Sequence, residues 1–318
     1  MKHGNDWHIL PESEFNNWDL WVMSNPTGSW FHTIRAFEVV HERKPEILIL
    51  KDDKGSWVAG FPFVRSKKFG LSYPKRSPFL YYSSPVIAPG YLNDIGEIVQ
   101  KLRKQFSFSI LNFTYTESGY PLKGSEFKLQ NGWWLPLEKT DELQLERCES
   151  NHKRQIKKTL IGSIDFIHSG NLTEKEIGLV HQSYQDHGKE SPYQTEKLLG
   201  LFSRLGENES VIARYRMDEK TLGWRCWLKD PRGFWIDWMS GISRSESTEP
   251  FGQKLCFESF RKAREEGASG IDFGGANSSG ISEFKKRFGC EKRTGGFIML
   301  TRNRLIKAVL DFKDRQQR

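Results

Sequence analysis

Cysteine is scarce in this sequence, and metal-ligand spacing is missing. The four cysteines lie far apart and form no CxxC pair; they are Cys148, Cys226, Cys256 and Cys290. This spacing disfavours a disulfide scaffold and predicts buried thiols in a reducing compartment. The eight histidines show no HExxH motif or other paired spacing, so we expect no bound metal.

Long apolar runs are missing as well. No run approaches the roughly 18 residues that a membrane-spanning helix needs. The first residues, MKHGNDWHILP, contain no apolar stretch of the kind found in signal peptides. We therefore expect a cytoplasmic protein. The sequence also has no GxSxG motif, which argues against a hydrolase with a nucleophile elbow.

What the sequence does contain is enough apolar material for two folded domains and an excess of positive charge. Of its 318 residues, 37% are hydrophobic and 13% aromatic, and the formal net charge is +8. Domains of about 100–200 residues suggest one domain over residues 1–143 and a second over residues 144–318. A basic surface suits phosphate-rich partners such as tRNA, nucleotide-linked precursors, coenzyme A or anionic lipid. A soluble basic protein without such a partner explains the charge equally well.

The order of predicted elements indicates an α/β fold. In the first half, short apolar runs around a turn predict strands at 46–50 and 57–64, followed by a helix at 93–106 and a strand at 108–113. A basic helix is predicted over 145–160, and Thr173 with Glu176 matches a capping box at the start of the next helix. Later strands are expected at 211–216, 222–228, 234–239, 271–273 and 297–300, with helices at 251–266, 281–288 and the C-terminus.

The segment 271–289 is the most informative part of the sequence. Its pattern is strand, glycine turn, helix, which lets a backbone approach a ligand closely and presents free N–H groups to an anion. Residues 272–274 match the DFG metal motif of kinases, but no HRD motif or GxGxxG loop accompanies them. Residues 275–280 match half of a phosphate-binding P-loop, but Ile281 stands where the lysine should follow.

This segment resembles the closing motif of the FemAB family of acetyltransferase-like enzymes, because DFGGAN at 272–277 is followed shortly by FKKRFG at 284–289. KRQIKK at 153–158 resembles the basic helix that opens the family's second domain, and residues 30–42 faintly resemble its N-terminal helix. The resemblance implies tandem GNAT-like domains (the acyl-CoA N-acyltransferase superfamily) with mixed sheets flanked by helices. It also implies transfer of an acyl or aminoacyl group to an amine of a cell-wall or polysaccharide precursor.

The resemblance leaves the acyl donor open between aminoacyl-tRNA and acyl-CoA. The chain lacks the long heptad segment of a helical arm that some tRNA-dependent members insert. It also lacks the Q/R-x-x-G-x-G/A loop of coenzyme A users, since residues 247–252 keep a single glycine. No permanently bound cofactor is implied. The expected partners are a phosphate-bearing donor, an amine-bearing precursor and, peripherally, the inner face of the membrane.

Lys285 is the first candidate for a catalytic residue. Helical spacing places it on the same side as Ile281, Phe284 and Phe288, whereas Lys286 points elsewhere. A cation on an inward stripe beside a glycine turn suits binding of phosphate or of the oxyanion of a tetrahedral intermediate. The alternative is a lysine whose stem packs at the edge of the stripe. We expect Lys285→Met to change stability little.

Two aspartates complete the predicted catalytic set. Asp272 ends a strand before the glycines, where it would orient an amine or cap the turn through backbone N–H groups. Asp237 lies in a strand on the face opposite Ile236 and Trp238. It is a candidate general base, and an ion pair with Arg225 on the neighbouring strand explains it equally well.

The predicted substrate-binding residues are of two kinds. Beside the glycine turn are Gly274, Gly275, Asn277 and Phe284. On the basic helix, Lys153, Arg154 and Lys157, together with Lys158, are expected to form a positive face that suits a diphosphate or an RNA backbone, with a solvated face as the alternative. A second basic patch comprises Arg65, Lys67, Lys68, Lys75 and Arg76. The rival to an enzyme is a non-catalytic module that binds RNA or anionic lipid through these patches.

Overall fold

The computed structural model describes residues 7–68, 70–122, 127–158, 160–186, 188–243, 251–276 and 278–301. The chain forms two compact units, one made of residues 1–131 with 293–318 and the other of residues 132–292. The boundary predicted between residues 143 and 144 therefore falls inside the second unit. The assignment of residues 1–143 and 144–318 to two GNAT-like domains stays a prediction.

In its described part, the first unit mixes antiparallel strands with three α-helices. Its strands are β1 (His8–Ile9), β2 (Glu46–Lys51), β3 (Trp57–Phe63), β4 (Arg65–Lys68), β5 (Leu71–Pro74), β6 (Val86–Ile87) and β7 (Phe108–Thr116), and its helices are α1 (Phe15–Ser24), α2 (Ile34–His41) and α3 (Ile95–Arg103). One sheet has the order β1-β2-β3-β6, and β4 pairs with β5 as a hairpin. The predicted strand–turn–strand at 46–64 is thus confirmed as β2 and β3.

The helical stripe predicted at 93–106 explains how α3 packs in this unit. Ile95, Ile98, Val99 and Leu102 are almost completely buried and lie in one apolar cluster with β3 and β7. Asp94 occupies the N-cap position but makes no side-chain cap. The helix therefore owes its position to its apolar face rather than to its cap.

The second unit is built on a mixed sheet. The strand β8 (Phe127–Pro136) contains the boundary between the units, and the strand β14 (Glu291–Thr301) ends the described chain. Between them lie α4 (Asp141–Arg147), α5 (Ser150–Lys157), β9 (Ser163–Ile167), α6 (Glu174–Gln185), α7 (Thr195–Ser203), β10 (Ser210–Met217), β11 (Lys220–Asp230), β12 (Phe234–Ile242), α8 (Phe251–Glu265), β13 (Gly270–Gly275) and α9 (Ser279–Lys286). The strand order in this unit is β8-β13-β12-β11-β10-β9.

The pairing of β12 with β13 is parallel, whereas the other pairings in this sheet are antiparallel. Among the described residues, β12 and β13 pair at only two positions, Trp235 with Ile271 and Ile236 with Asp272. The next residues, Asp237 on β12 and Phe273 on β13, begin the stretch over which the two strands no longer pair. The predicted candidates thus lie where the sheet opens.

Local signals in the sequence account for several helix ends. The capping box at Thr173 is present in both directions, since Thr173 Oγ1 accepts from the N–H of Glu176 and the Glu176 side chain accepts from that of Thr173. Gly267, predicted to stop α8, has a φ of +81°, which suits glycine. The predicted helix at 145–160 is confirmed over residues 150–157 as α5, but its continuity was wrong, because Cys148 and Glu149 are extended and separate α4 from α5. The predicted C-terminal helix lies outside the described residues.

Candidate functional site

The predicted glycine turn falls within the last residues of β13, where the register with β8 shifts between Asp272 and Gly274. Asp272 Oδ1 accepts a 2.8 Å hydrogen bond from the N–H of Gly274, and Gly274 has a φ of +62°. Positive φ is easily adopted by glycine and costs other residues energy. The predicted hydrogen bond from a backbone N–H to Asp272 is confirmed, but Asp272 lies inside β13 and does not end the strand. The role of Asp272 toward an amine stays a prediction.

Lys285 is held by the backbone of this turn. Its Nζ donates to the carbonyl oxygens of Phe273, at 2.5 Å, and Gly275, at 2.6 Å. The side chain is 7% exposed, and within the described chain it forms no salt bridge. An ammonium has three N–H donors, so one remains after the two carbonyls are satisfied.

The inward direction predicted for Lys285 is confirmed, but the reasoning about its stripe was partly wrong. Ile281 is 44% exposed, whereas Phe288, beyond the end of α9, is completely buried. The hydrogen bonds to two carbonyls, rather than a continuous apolar stripe, hold Lys285 inward. Because Lys285→Met removes these two hydrogen bonds, we now expect it to change stability more than the sequence suggested. Lys286 is exposed and lies 3.9 Å from Glu283.

The charge of Lys285 is poorly solvated. Burial lowers the pKa of Lys285, an effect that nearby Asp237 opposes, Arg225 reinforces and Asp272 opposes. A buried cation without a carboxylate in contact is costly. An apolar side chain would fill the same space without the cost of burying a charge, although it would lose the two hydrogen bonds. Packing alone therefore does not explain Lys285.

Asp237 forms an ion pair with Arg225, which is one of the two interpretations that the sequence offered for Asp237. Arg225 donates to Asp237 Oδ2 at 2.7 Å, and the two side chains are 10% and 11% exposed. A register shift between β11 and β12 brings Asp237 opposite Trp227. Such irregularities redirect side chains within a sheet.

Phe284 connects α9 to this ion pair. The Arg225 guanidinium lies 5.8 Å from the centre of the Phe284 ring and 5.6 Å from that of Trp227, which are cation–π distances. Lys285, Phe284, Asp237, Gly274 and Gly275 are thus brought together at the opening between β12 and β13. Asn277, predicted to bind substrate, lies outside the described residues.

The predicted basic face on α5 is only partly formed. Lys153 is half-buried, Arg154 is exposed and donates to Asn151 at 3.1 Å, and Lys157 is exposed at the last position of the helix. Lys158 is already extended, so it does not continue the helical face. The roles of these three residues in binding substrate stay predictions.

Sequence reasoning missed His152. It is 2% exposed on α5, and its ring lies 5.4 Å from that of Phe284 and 4.6 Å from that of Phe288. Burial lowers the pKa of His152. The available signal was its spacing of four from buried Ile156, which places both on the inward side of α5.

The cysteines near the site are free thiols. Cys148, Cys226 and Cys256 are buried, as predicted, whereas Cys290 is half-buried. The reducing compartment stays a prediction. Burial raises the pKa of Cys256 to about 12 and that of Cys148 to about 11. These thiols are therefore poor nucleophiles at neutral pH.

Comparison with known proteins identifies the fold. No protein-family model and no curated protein matches the sequence. A structure of FemX is similar over 97% of this chain and 99% of its own, with 12% identity and a TM-score of 0.66. A tandem GNAT protein from the clavulanic acid biosynthesis pathway is similar over 94% of this chain and 98% of its own, with 10% identity and a TM-score of 0.55.

The chain has a FemAB-like GNAT fold. A third similar structure is the C-terminal domain of a protein assigned as a lysylphosphatidylglycerol synthetase from Agrobacterium fabrum, with 11% identity, 96% coverage of both chains and a TM-score of 0.51. The predicted α/β class with tandem GNAT-like domains is confirmed. Within the described residues, no helix is both long and apolar enough to cross a membrane.

Proposed function

We propose that the protein is an acyl- or aminoacyltransferase that moves an acyl group from an ester or thioester donor to an amine. The observation that supports this most directly is the buried Lys285 ammonium, which is held by two carbonyls and keeps one N–H donor. Lys285 lies beside the opening between β12 and β13. An extended acyl chain would fit in this opening, between the two separating strands. The FemAB-like fold is consistent with this chemistry.

In the proposed reaction, the acceptor nitrogen attacks the carbonyl carbon of the donor. The carbonyl oxygen becomes an oxyanion, and the remaining N–H of Lys285 donates to it. The tetrahedral intermediate then collapses with cleavage of the C–O or C–S bond, and the proton lost by the nitrogen ends on the departing alcohol or thiol. A preorganised donor aimed at such an oxyanion accelerates acyl transfer by about 10²–10³.

The aspartates take positioning roles in this proposal. Asp237 is engaged by Arg225, so we assign it to holding the guanidinium against Phe284 and to balancing the charge of Lys285. Asp272 holds the turn in the conformation that directs the carbonyls of Phe273 and Gly275 at Lys285. The acceptor amine would transfer its proton directly or through water, and no covalent enzyme intermediate is needed.

The proposed donor carries phosphate, as aminoacyl-tRNA or acyl-CoA. Lys153, Arg154 and Lys157 would contact these phosphates, because α5 packs next to α9 through His152 and Phe284. Gly274 and Gly275 allow close approach of a substrate backbone. The proposed acceptor is an amine of a cell-wall or polysaccharide precursor. The neighbour named for lysylphosphatidylglycerol synthesis supports an aminoacyl group in particular.

A ligand screen followed by a transfer assay tests the proposal. Acyl-CoAs, aminoacyl-tRNAs and nucleotide-linked sugar peptides would be screened by thermal shift, where a ligand at 100 times its Kd stabilises by about 2.7 kcal/mol. Donor–acceptor pairs that bind would then be assayed for amide formation by mass spectrometry. Binding of RNA or anionic vesicles without amide formation from any pair would favour the non-catalytic module instead.

A further inference from the structure

The β4–β5 hairpin of the first unit carries charge of one sign. From residue 54 to residue 93 the sequence contains no Asp or Glu, whereas the same stretch holds six Lys or Arg residues, five of them between residues 65 and 76. Because no acidic side chain is interspersed along the chain, these charges add to one positive field.

One end of this hairpin is fixed to the rest of the unit. Arg65, the first residue of β4, donates to both carboxylate oxygens of Glu46, at 2.9 Å and 3.1 Å. The backbone N–H of Lys75, directly after β5, donates to the carbonyl oxygen of Val64 at 2.7 Å. The charge of Arg65 is therefore balanced, and the base of the hairpin is held in place.

The other end of the hairpin is open to solvent on both faces. Lys67 and Lys68 are the last residues of β4 and lie opposite Ser72 and Leu71. Neighbouring residues of a strand point to opposite faces, and both lysines are exposed. Gly70 in the turn is exposed as well, and a Cβ added there would meet nothing within 4 Å. The two lysines thus present positive charge on both faces of a two-stranded ribbon.

Three more cations lie at the base of the hairpin. Lys75 and Arg76 follow β5 directly, and Arg43 donates to the carbonyl oxygen of Arg65 at 3.1 Å. All three are exposed, and with the residues that the structure describes they form no ion pair. The pKa of His41 is lowered to about 4 by burial and also by Lys75 and Arg43, so both of these cations lie near its ring.

An anionic membrane surface suits this arrangement better than a strand of RNA does. A layer of headgroups surrounds the end of a ribbon that enters it, so charges on opposite faces are contacted at the same time. An RNA strand would follow one face, and such strands are usually bound along a basic groove with stacking aromatic side chains. Leu71, half-buried opposite Lys68, adds an apolar contact of the kind found where proteins lie at membrane interfaces.

We propose that the end of the β4–β5 hairpin docks the protein on a membrane surface rich in anionic phospholipid. Lys67 and Lys68 would contact headgroup phosphates, and the three cations at the base would attract the surface over about one Debye length, roughly 8 Å at physiological salt. Each basic residue near such a surface contributes modestly, so the binding is reversible and weakens with added salt. Docking here does not depend on the transfer reaction proposed for Lys285.

Co-sedimentation of the whole chain with vesicles tests this surface. Vesicles of equal parts phosphatidylglycerol and phosphatidylcholine should bind the protein, and vesicles of phosphatidylcholine alone should not. The double variant Lys67→Gln with Lys68→Gln should weaken binding by about 30-fold, because two cations near the surface are lost. The matched control, Lys175→Gln with Lys197→Gln, removes two exposed cations from the second unit and should weaken binding by less than about threefold.

Equal weakening by the two double variants would overturn the proposal, because it would indicate attraction by net charge alone. Absence of binding to the anionic vesicles would overturn it as well. Binding of a single-stranded oligoribonucleotide that depends on Lys67 and Lys68, without binding to vesicles, would make RNA the partner instead. Lys285→Met should bind the vesicles as the unaltered protein does, so a failure of the transfer hypothesis and a failure of this one remain distinguishable.

Discussion

Replacing Lys285 by methionine tests the central hypothesis about the site. The variant removes two hydrogen bonds from a charged donor to the carbonyls of Phe273 and Gly275. Such bonds each contribute about 1.5–3 kcal/mol, but the variant also removes the cost of burying the ammonium. We expect a net loss of about 2 kcal/mol in the free energy of unfolding, which corresponds to about 4–8 °C in Tm for a domain of this size.

The effect on transfer should exceed the effect on stability. If the third N–H of Lys285 donates to the oxyanion, the rate constant kcat should fall by about 10²–10³ in folded protein. Lys286→Met is the matched control, because Lys286 is exposed on the same helix and should change both quantities little. Both variants would be assayed well below their Tm, with circular dichroism to show that they are folded.

A folded Lys285→Met protein that transfers as fast as Lys286→Met would refute the catalytic assignment. If Lys285→Met does not fold, Lys285→Gln serves instead, because its amide keeps an N–H for the carbonyls but no charge. A stable but slow Lys285→Gln supports the role of the charge. A stable Lys285→Gln with unchanged kcat shows that the residue only holds the turn.

The remaining predictions concern the surroundings of the site and the whole chain. Asp237→Asn leaves the Arg225 charge unbalanced and should cost about 3 kcal/mol in urea unfolding, whereas the double variant Asp237→Leu with Arg225→Met should cost much less; equal losses would contradict a tightly coupled pair. Gly274→Ala, at a φ of +62°, should cost about 1–2 kcal/mol and slow transfer, while Gly280→Ala in α9, where an added Cβ meets nothing within 4 Å, should be neutral or stabilising. Burial lowers the pKa of His41 to about 4 in the folded protein, so the unfolded chain binds a proton more readily and the free energy of unfolding should fall as pH falls from about 6.5 to 4. His41→Gln should flatten that pH dependence. Elemental analysis should find no stoichiometric zinc or iron, and one tightly bound metal per chain would contradict the interpretation of the scattered cysteines and histidines.

Secondary structure was predictable where local signals agreed with packing. The capping box at Thr173, the stop at Gly267 and the strands on either side of residues 229–233 follow from side-chain hydrogen bonds, positive φ and turn residues, which act over a few positions. The break in the basic helix predicted at 145–160 was not foreseen, because Cys148 and Glu149 are not residues that usually interrupt a helix. The break between α4 and α5 is instead accompanied by tertiary contacts, since Arg147 donates to the carbonyl of Gly289 at 3.2 Å and to Glu291 at 3.1 Å.

The sequence indicated several residues of the site, but it indicated less well which other residues they contact. Alternation of side chains along β12 predicted that Asp237 lies on the other face of the strand from Ile236. The ion pair with Arg225 was predictable because Arg225 lies on the neighbouring strand. Nothing local to α5 indicates that His152 packs against Phe284, because that contact joins residues over 130 positions apart in the chain. Contacts of this length depend on how helices pack on the sheet, which a single sequence does not specify.

The geometry of Lys285 is compatible with both a structural role and the chemical role that we propose. Two of its donors fix the turn, and for this the Gly274 conformation and the Asp272 cap are needed. That arrangement determines the direction of the third donor without any reorganisation when a substrate arrives. Preorganisation of this kind is what makes a donor effective toward a developing oxyanion. A lysine that is hydrogen-bonded to the backbone is therefore better suited to the proposed chemistry than a mobile lysine would be. Burying its ammonium group costs free energy, and this cost supports a functional role for Lys285.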